Sequence, residues 1–176
     1  MSKPPGAPAP TRYFSIAPQI RLGRYIAGHA KKWVKEWLET VQQDPSTPAY
    51  ASYGDTDELL RDTEALYHYL ATWLRHGEWD PRIDPHYQRI GRDRRREGFP
   101  IAQVIAAILL AKRALWEKLV ENKPLSMALE LEVTRAISRF YDRAIYNTVI
   151  GYEETPGEDL DASVAGRARR KEGGGA

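Results

Sequence analysis

Residues 99–122 read FPIAQVIAAILLAKRALWEKLVEN, the most apolar stretch of the chain. Ile101, Val104, Ile105, Ile108, Leu109, Leu115, Trp116 and Leu119 repeat at helical spacing but cover more than one helical face. A helix that is apolar on several sides is buried on several sides. It lies at the centre of a bundle, or between a bundle and a second molecule. The run from Ile101 to Ala111 is interrupted by Gln103 and is well short of the ~20 residues that span a bilayer. It predicts an interior helix and no membrane association.

Working outward, the preceding segment, Pro85 to Glu97, is a polar helix with Ile83, Tyr87 and Ile90 as its inward residues and Gly98 as its stop. Before it, Asp55 with Glu58 three residues later resembles a capping box. Leu59, Leu66, Leu70, Trp73 and Leu74 then form an apolar face that ends at Gly77. The first helix runs from Pro18 to Gln43 on the stripe Leu22, Ile26, Trp33, Trp37 and Val41, with Lys31, Lys32, Lys35 and Glu36 on its solvent side. Asp44-Pro45 closes that helix, and Pro45 to Gly54 is a connector. Downstream, Leu129, Val133, Ile137, Phe140, Tyr141, Ala144 and Thr148 define a last helix from Leu125 to Tyr152. There is no internal repeat and no strand-like alternation. The pattern predicts an all-α, globin-like helical bundle of about five main helices. Residues 1–17 read as a disordered Pro-rich arm, 18–153 as the helical domain and 154–176 as a disordered tail.

Composition narrows the function classes. The 176 residues suit one domain with its own core, and the formal charge of +2 gives no strong global field. Cysteine is absent, which removes disulfides, thiolate catalysis and iron–sulfur clusters, and fits a cytoplasmic protein. Residues 1–10 lack the apolar core of a signal peptide. No Gly-x-Ser-x-Gly, Ser-x-x-Lys or phosphate-loop motif occurs, so an enzyme is not expected.

Several constellations admit both a chemical and a structural reading. The histidines are His29, His68, His76 and His86. Neither Glu-x-x-His nor His-Glu-x-x-His appears, so they read as packed or surface residues and no metal is expected. A globin-like bundle could hold haem through one imidazole, with His68 and His86 as the residues to test. Beyond that alternative no cofactor is implied. Arg89, Arg92, Arg94, Arg95 and Arg96 crowd the third helix, and Arg167, Arg169, Arg170 and Lys171 mark the tail. With Asp93 and Glu97 interspersed, the first cluster reads as a charged solvent face. Arg92, Arg94, Arg95 and Arg96 as a nucleic-acid site are the alternative. Glu130, Glu132 and Asp142 beside Arg135, Arg139 and Arg143 read as intrahelical pairs. The aromatic side chains Trp33, Trp37, Tyr67, Trp73, Trp116 and Phe140 are core residues by default and candidates to line a pocket for a flat or apolar ligand.

Trp33-Val34-Lys35-Glu36-Trp37-Leu38 with Asp44-Pro45 resembles the opening helix of the N-terminal sensor domains of RsbR-type stress regulators, the RsbT co-antagonist N-terminal domains. Arg95-Arg96-Glu97-Gly98-Phe99-Pro100-Ile101, leading into Ala111-Lys112-Arg113-Ala114-Leu115-Trp116, is similar to that family's Arg-x-x-Gly-Phe/Val-Pro-Leu turn and long helix. Phe140-Tyr141-Asp142-Arg143 and Gly151-Tyr152 resemble its last helix. The resemblance covers about residues 22–153. It implies a globin-like domain, usually without haem, that dimerises and passes a signal to a kinase, an anti-sigma antagonist or a transcription regulator. The chain ends after the sensor-like part, so that output is expected in a separate protein, or the domain is repurposed. Ala106-Ala107-Ile108-Leu109-Leu110 is more apolar than the family's pattern, which favours a deep apolar cavity or a larger helix–helix interface. The first and fourth helices are the expected dimer surface, with Ile105, Ile108 and Leu109 as interface candidates.

Overall fold

The computed structural model describes residues 16–77, 79–121 and 127–156. These residues form α1 (Ile16–Gln43), α2 (Pro48–Ala51), α3 (Thr56–His76), α4 (Ile83–Arg96), α5 (Ile101–Glu121) and α6 (Met127–Glu153), with no strand among them. The protein is an all-α helical bundle. The Pro-rich arm before residue 16, the basic tail after residue 156, and residues 122–126, which include Leu125 and Asn122, lie outside the described residues.

Local chemistry accounts for most boundaries. Asp55 accepts a hydrogen bond from the Glu58 amide at 3.0 Å, and Gly77, at φ +70°, closes α3 by donating to the Trp73 carbonyl. The capping box is only half formed, because Glu58 faces Arg94 instead of reaching back. At the end of α4, Gly98 takes φ +79°. The Phe99 amide donates to the Arg94 carbonyl and the Gly98 amide to the Arg95 carbonyl, which is the Schellman pattern. The connector after α1 contains an extra turn, α2, which the sequence does not announce. The Ala49 amide donates to Gln103 Oε1 at 2.7 Å, so the polar residue interrupting the apolar run serves a helix end.

The bundle is organised as two tight helix pairs. α1 packs antiparallel along α3, and α4 packs alongside α6 in the same direction. Glycines permit both approaches. A Cβ on Gly23 would stand 2.6 Å from the Ala71 carbonyl oxygen. One on Gly91 would stand 2.0 Å from the Thr148 oxygen, and one on Gly151 2.0 Å from the Gln88 oxygen. α5 spans the two pairs, touching α1, α4 and α6. Trp37 Nε1 donates to the Ala107 carbonyl at 3.0 Å and Tyr67 to the Ala111 carbonyl at 3.4 Å, so aromatic donors from α1 and α3 hold the α5 backbone in place.

Candidate functional site

Arg94 is the bulkiest fully buried side chain among the described residues, at 2% exposure. It continues the inward register Ile83, Tyr87, Arg94 of α4. Its guanidinium pairs with Glu97 and lies 3.4 Å from Asp62 and 3.6 Å from Glu58, both carried by α3. It donates to the Tyr53 hydroxyl at 3.1 Å and sits over the rings of Tyr53 and Phe99, 5.2 and 5.5 Å from their centroids. Burial alone would lower the Arg94 pKa, but the Glu97 carboxylate outweighs it and the guanidinium is held charged. Burial and the Glu97 contact push the Tyr53 hydroxyl up to about 12. Burial also raises Glu58 above the ordinary carboxylate value, against the pull of Arg94. Asp62 is shared, since Arg89 reaches its other oxygen at 2.5 Å while also holding Asp93.

The same turn ties α4 to the end of α6. Arg95 donates to the Tyr152 hydroxyl at 3.2 Å and lies over that ring, and Tyr152 donates to the Phe99 carbonyl at 2.8 Å. Further along the pair, Arg143 grips Asp84 and covers Trp79 at 4.3 Å. Its partner is therefore on another helix, not one turn away on its own. The Arg143 hydrogen bond holds Asp84 below its ordinary pKa.

Beside Arg94 lies a cavity of about 50 Å³. α1 contributes Trp37, α3 Asp62 and Leu66, α4 Tyr87, and α5 Ala107, Ile108 and Ala111. Its walls are mostly apolar. Tyr87 is buried, and its hydroxyl has no hydrogen-bond partner among the described residues. Burial raises its pKa well above the ordinary value, so it stays protonated.

The aromatic pocket candidates do not converge on one space. Of the six, Trp37 alone lines this cavity. Trp33 packs edge-on against Tyr67 at 5.9 Å, and Trp73 packs on Phe140 and Trp79 at 5.9 and 5.7 Å. Trp116 is half-buried against the core. The imidazoles are separated too. His68 is exposed beside Glu64, whereas His86 is half-buried between the Tyr69 and Tyr87 rings, with Nε2 unpartnered among the described residues. Burial lowers the His86 pKa. No group of three or more His, Asp or Glu among the described residues is placed to hold a metal ion.

The reading of the α4 arginines as one solvent face needs correction. Arg94 points inward, Arg95 is engaged by Tyr152, Arg92 is half-exposed, and of these four Arg96 alone is exposed, 3.6 Å from Asp93. The signal for this was present. Arg94 falls on the apolar register of α4, and Asp62 falls between Leu59 and Leu66 on that of α3. An inward arginine and an inward aspartate need each other.

The three interface candidates on α5 divide between its faces. Ile108 lines the cavity, while Leu109 is 46% exposed and Ile105 is half-exposed. Ile105, Leu109, Trp116 and Val120 fall within a narrow arc of the helix opposite the cavity, with Val120 at 69% exposure. Among the described residues the large exposed apolar side chains are Leu109, Val120, Leu131 and Tyr146, on α5 and α6. Among its described side chains α1 carries none, because Leu22, Ile26, Trp33, Val34, Trp37 and Val41 turn into the core.

No helix among the described residues is long and apolar enough to cross a membrane. No curated protein and no solved structure matches the chain. One family does match, over residues 30–167, and it is described as the RsbT co-antagonist protein RsbRD N-terminal domain. That span takes in α3, α4 and α5, the Arg94 centre, the Gly98 turn and the glycine-paired α4–α6 crossing. The chain belongs to the family of RsbT co-antagonist RsbRD N-terminal domains.

Proposed function

We propose that the protein is a non-enzymatic regulatory domain of stress signalling that works by association. It forms a homodimer through the outer face of α5 and presents that assembly to a separate signalling protein: a kinase, an anti-sigma antagonist or a transcription regulator. Family membership supports the regulatory role. The observation that carries the mode of action is the stripe Ile105, Leu109, Trp116, Val120. Leu109 and Val120 on it are exposed and Ile105 and Trp116 half-buried, on a helix whose opposite face packs into the core around the cavity. Exposed apolar surface aligned along one helix marks an association site, and in a symmetric dimer the same stripe meets its own copy.

The test is sedimentation equilibrium of the full chain against a Leu109→Glu, Val120→Glu double variant. The unmodified chain should sediment at twice the chain mass, and the variant at the chain mass with unchanged helical circular dichroism. Both positions are exposed, so the two changes together should cost no more than about 1 kcal/mol of fold stability. A variant that remains dimeric would place the interface elsewhere.

A further inference from the structure

We infer that the outer face of α1, with the groove it forms against α3, is a docking surface for an acidic amphipathic helix of a partner protein. This rests on the reading that the chain acts on a separate signalling protein, and it uses no residue of the α5 stripe. The first observation is charge. From Ile16 to Lys35, α1 carries Arg21, Arg24, Lys31, Lys32 and Lys35 and no carboxylate, in a chain whose formal charge is only +2. All five are exposed. At about 100° per residue they fall within roughly 100° of one another round the helix, opposite the Leu22, Ile26, Trp33 and Trp37 register that enters the core. Glu39, one turn beyond Lys35, is the first carboxylate on that arc. Lys32 stands 3.8 Å from Glu36, whereas Arg21, Arg24, Lys31 and Lys35 form no ion pair among the described residues. A row of like charges left unanswered along one helix favours a partner of the opposite sign.

The second observation is shape. Lys31, Lys32 and Lys35 line an open groove of about 440 Å³ together with Val34 and, from α3, Leu60 and Glu64. Lys31 and Lys35 are one turn apart, about 6 Å along the axis, which is the rise between carboxylates at i and i+4 on a second helix. Leu60 is half-buried against the core and offers an apolar seat between the two helices. Lysine stems cover apolar surface while their ammonium groups stay in water, so the same groove serves both halves of an amphipathic partner. Other polyanions fit it less well. A phosphate backbone gains nothing from Leu60 and meets the Glu64 carboxylate, and no aromatic residue falls on the arc for bases to stack on. An anionic bilayer takes up the apolar face of a helix, and that face of α1 is already turned into the core.

The probe is a synthetic helical peptide of about 18 residues, acetylated and amidated, with glutamates at i and i+4 beside a row of leucines. Its fluorescence anisotropy is followed as the full chain is added. Binding should saturate and should weaken as salt is raised. Lys31→Glu with Lys35→Glu should lower the affinity roughly tenfold. Lys31→Gln with Lys35→Gln, the pair to use should the first not fold, should lower it about threefold. Arg135→Glu with Arg139→Glu makes the same charge change at exposed positions of α6 and should leave the affinity within about twofold. Leu60→Ser should weaken the peptide about fivefold. The Leu109→Glu, Val120→Glu variant should bind it as the unmodified chain does, so a failed docking site and a failed dimer are read apart. The inference is overturned if the peptide does not saturate, if the α6 reversals weaken it as much as the α1 reversals, or if Leu60→Ser leaves it unchanged. It is equally overturned if a duplex oligonucleotide or a phosphatidylserine vesicle binds more tightly than the peptide through the same lysines.

Discussion

Arg94 sits at the centre of the residue-scale energetics. Its guanidinium is shut away from water among Glu58, Asp62 and Glu97, with Tyr53 and Phe99 against its faces. Removing it leaves those carboxylates crowded and uncompensated, so Arg94→Met should destabilise the fold by about 3–5 kcal/mol in urea titration. Arg94→Lys should recover only part of that, because an ammonium cannot bridge several carboxylates in one plane. His86 provides a pH-dependent test. Burial holds its folded pKa below the ordinary 6.5, against the opposing pull of Asp62 and with a smaller lowering from Arg89. Between the two values the unfolded chain binds the extra proton. His86's contribution is therefore complete above pH 6.5 and is lost as pH falls through the folded value. Stability measured from pH 7 downward should fall just below 6.5, and His86→Phe should flatten that slope. Glu58 acts in the opposite sense. Its raised pKa gives a contribution present below 4.5 and lost as pH rises through its folded value.

At the scale of elements, the glycines at the crossings set how closely the helices pair. Gly91 and Gly151 interlock α4 with α6, each leaving no room for a methyl group against the other helix's backbone. Gly28, within α1, has nothing within 4 Å of where its Cβ would stand. The same substitution should thus have opposite signs. Gly91→Ala should cost about 1–3 kcal/mol as the helices are forced apart. Gly28→Ala should add about 0.5–1 kcal/mol by restricting the unfolded chain. Paired chemical denaturation curves check both. A sequence presents these two glycines identically, as weak points in a helix. Which one touches another backbone is settled by a residue some sixty positions away. The helix ends were legible for the converse reason, since Asp55, Gly77 and Gly98 act on amides and carbonyls within one turn of themselves.

At the scale of the whole molecule, α5 separates two roles between neighbouring residues. Ile108→Glu would put a carboxylate into the cavity wall and should unfold the protein or leave it aggregated. Leu109→Glu should leave the helical content intact and weaken only association, and circular dichroism with sedimentation of the two variants separates the effects. The sequence by itself determined that the chain is all-α, where most helices begin and end, and which apolar stripe faces inward, because hydrophobic period and capping are local properties. It also displayed the family's Gly98 turn. Only the tertiary structure decided that Arg94 is buried while Arg96 is exposed, that Asp62 meets it from another helix, and that Ile108 lines the cavity while Leu109 is exposed. Residues far apart in the chain make those choices, through helix crossings whose distance depends on glycines and on two aromatic hydrogen bonds to α5, and no local pattern encodes that distance.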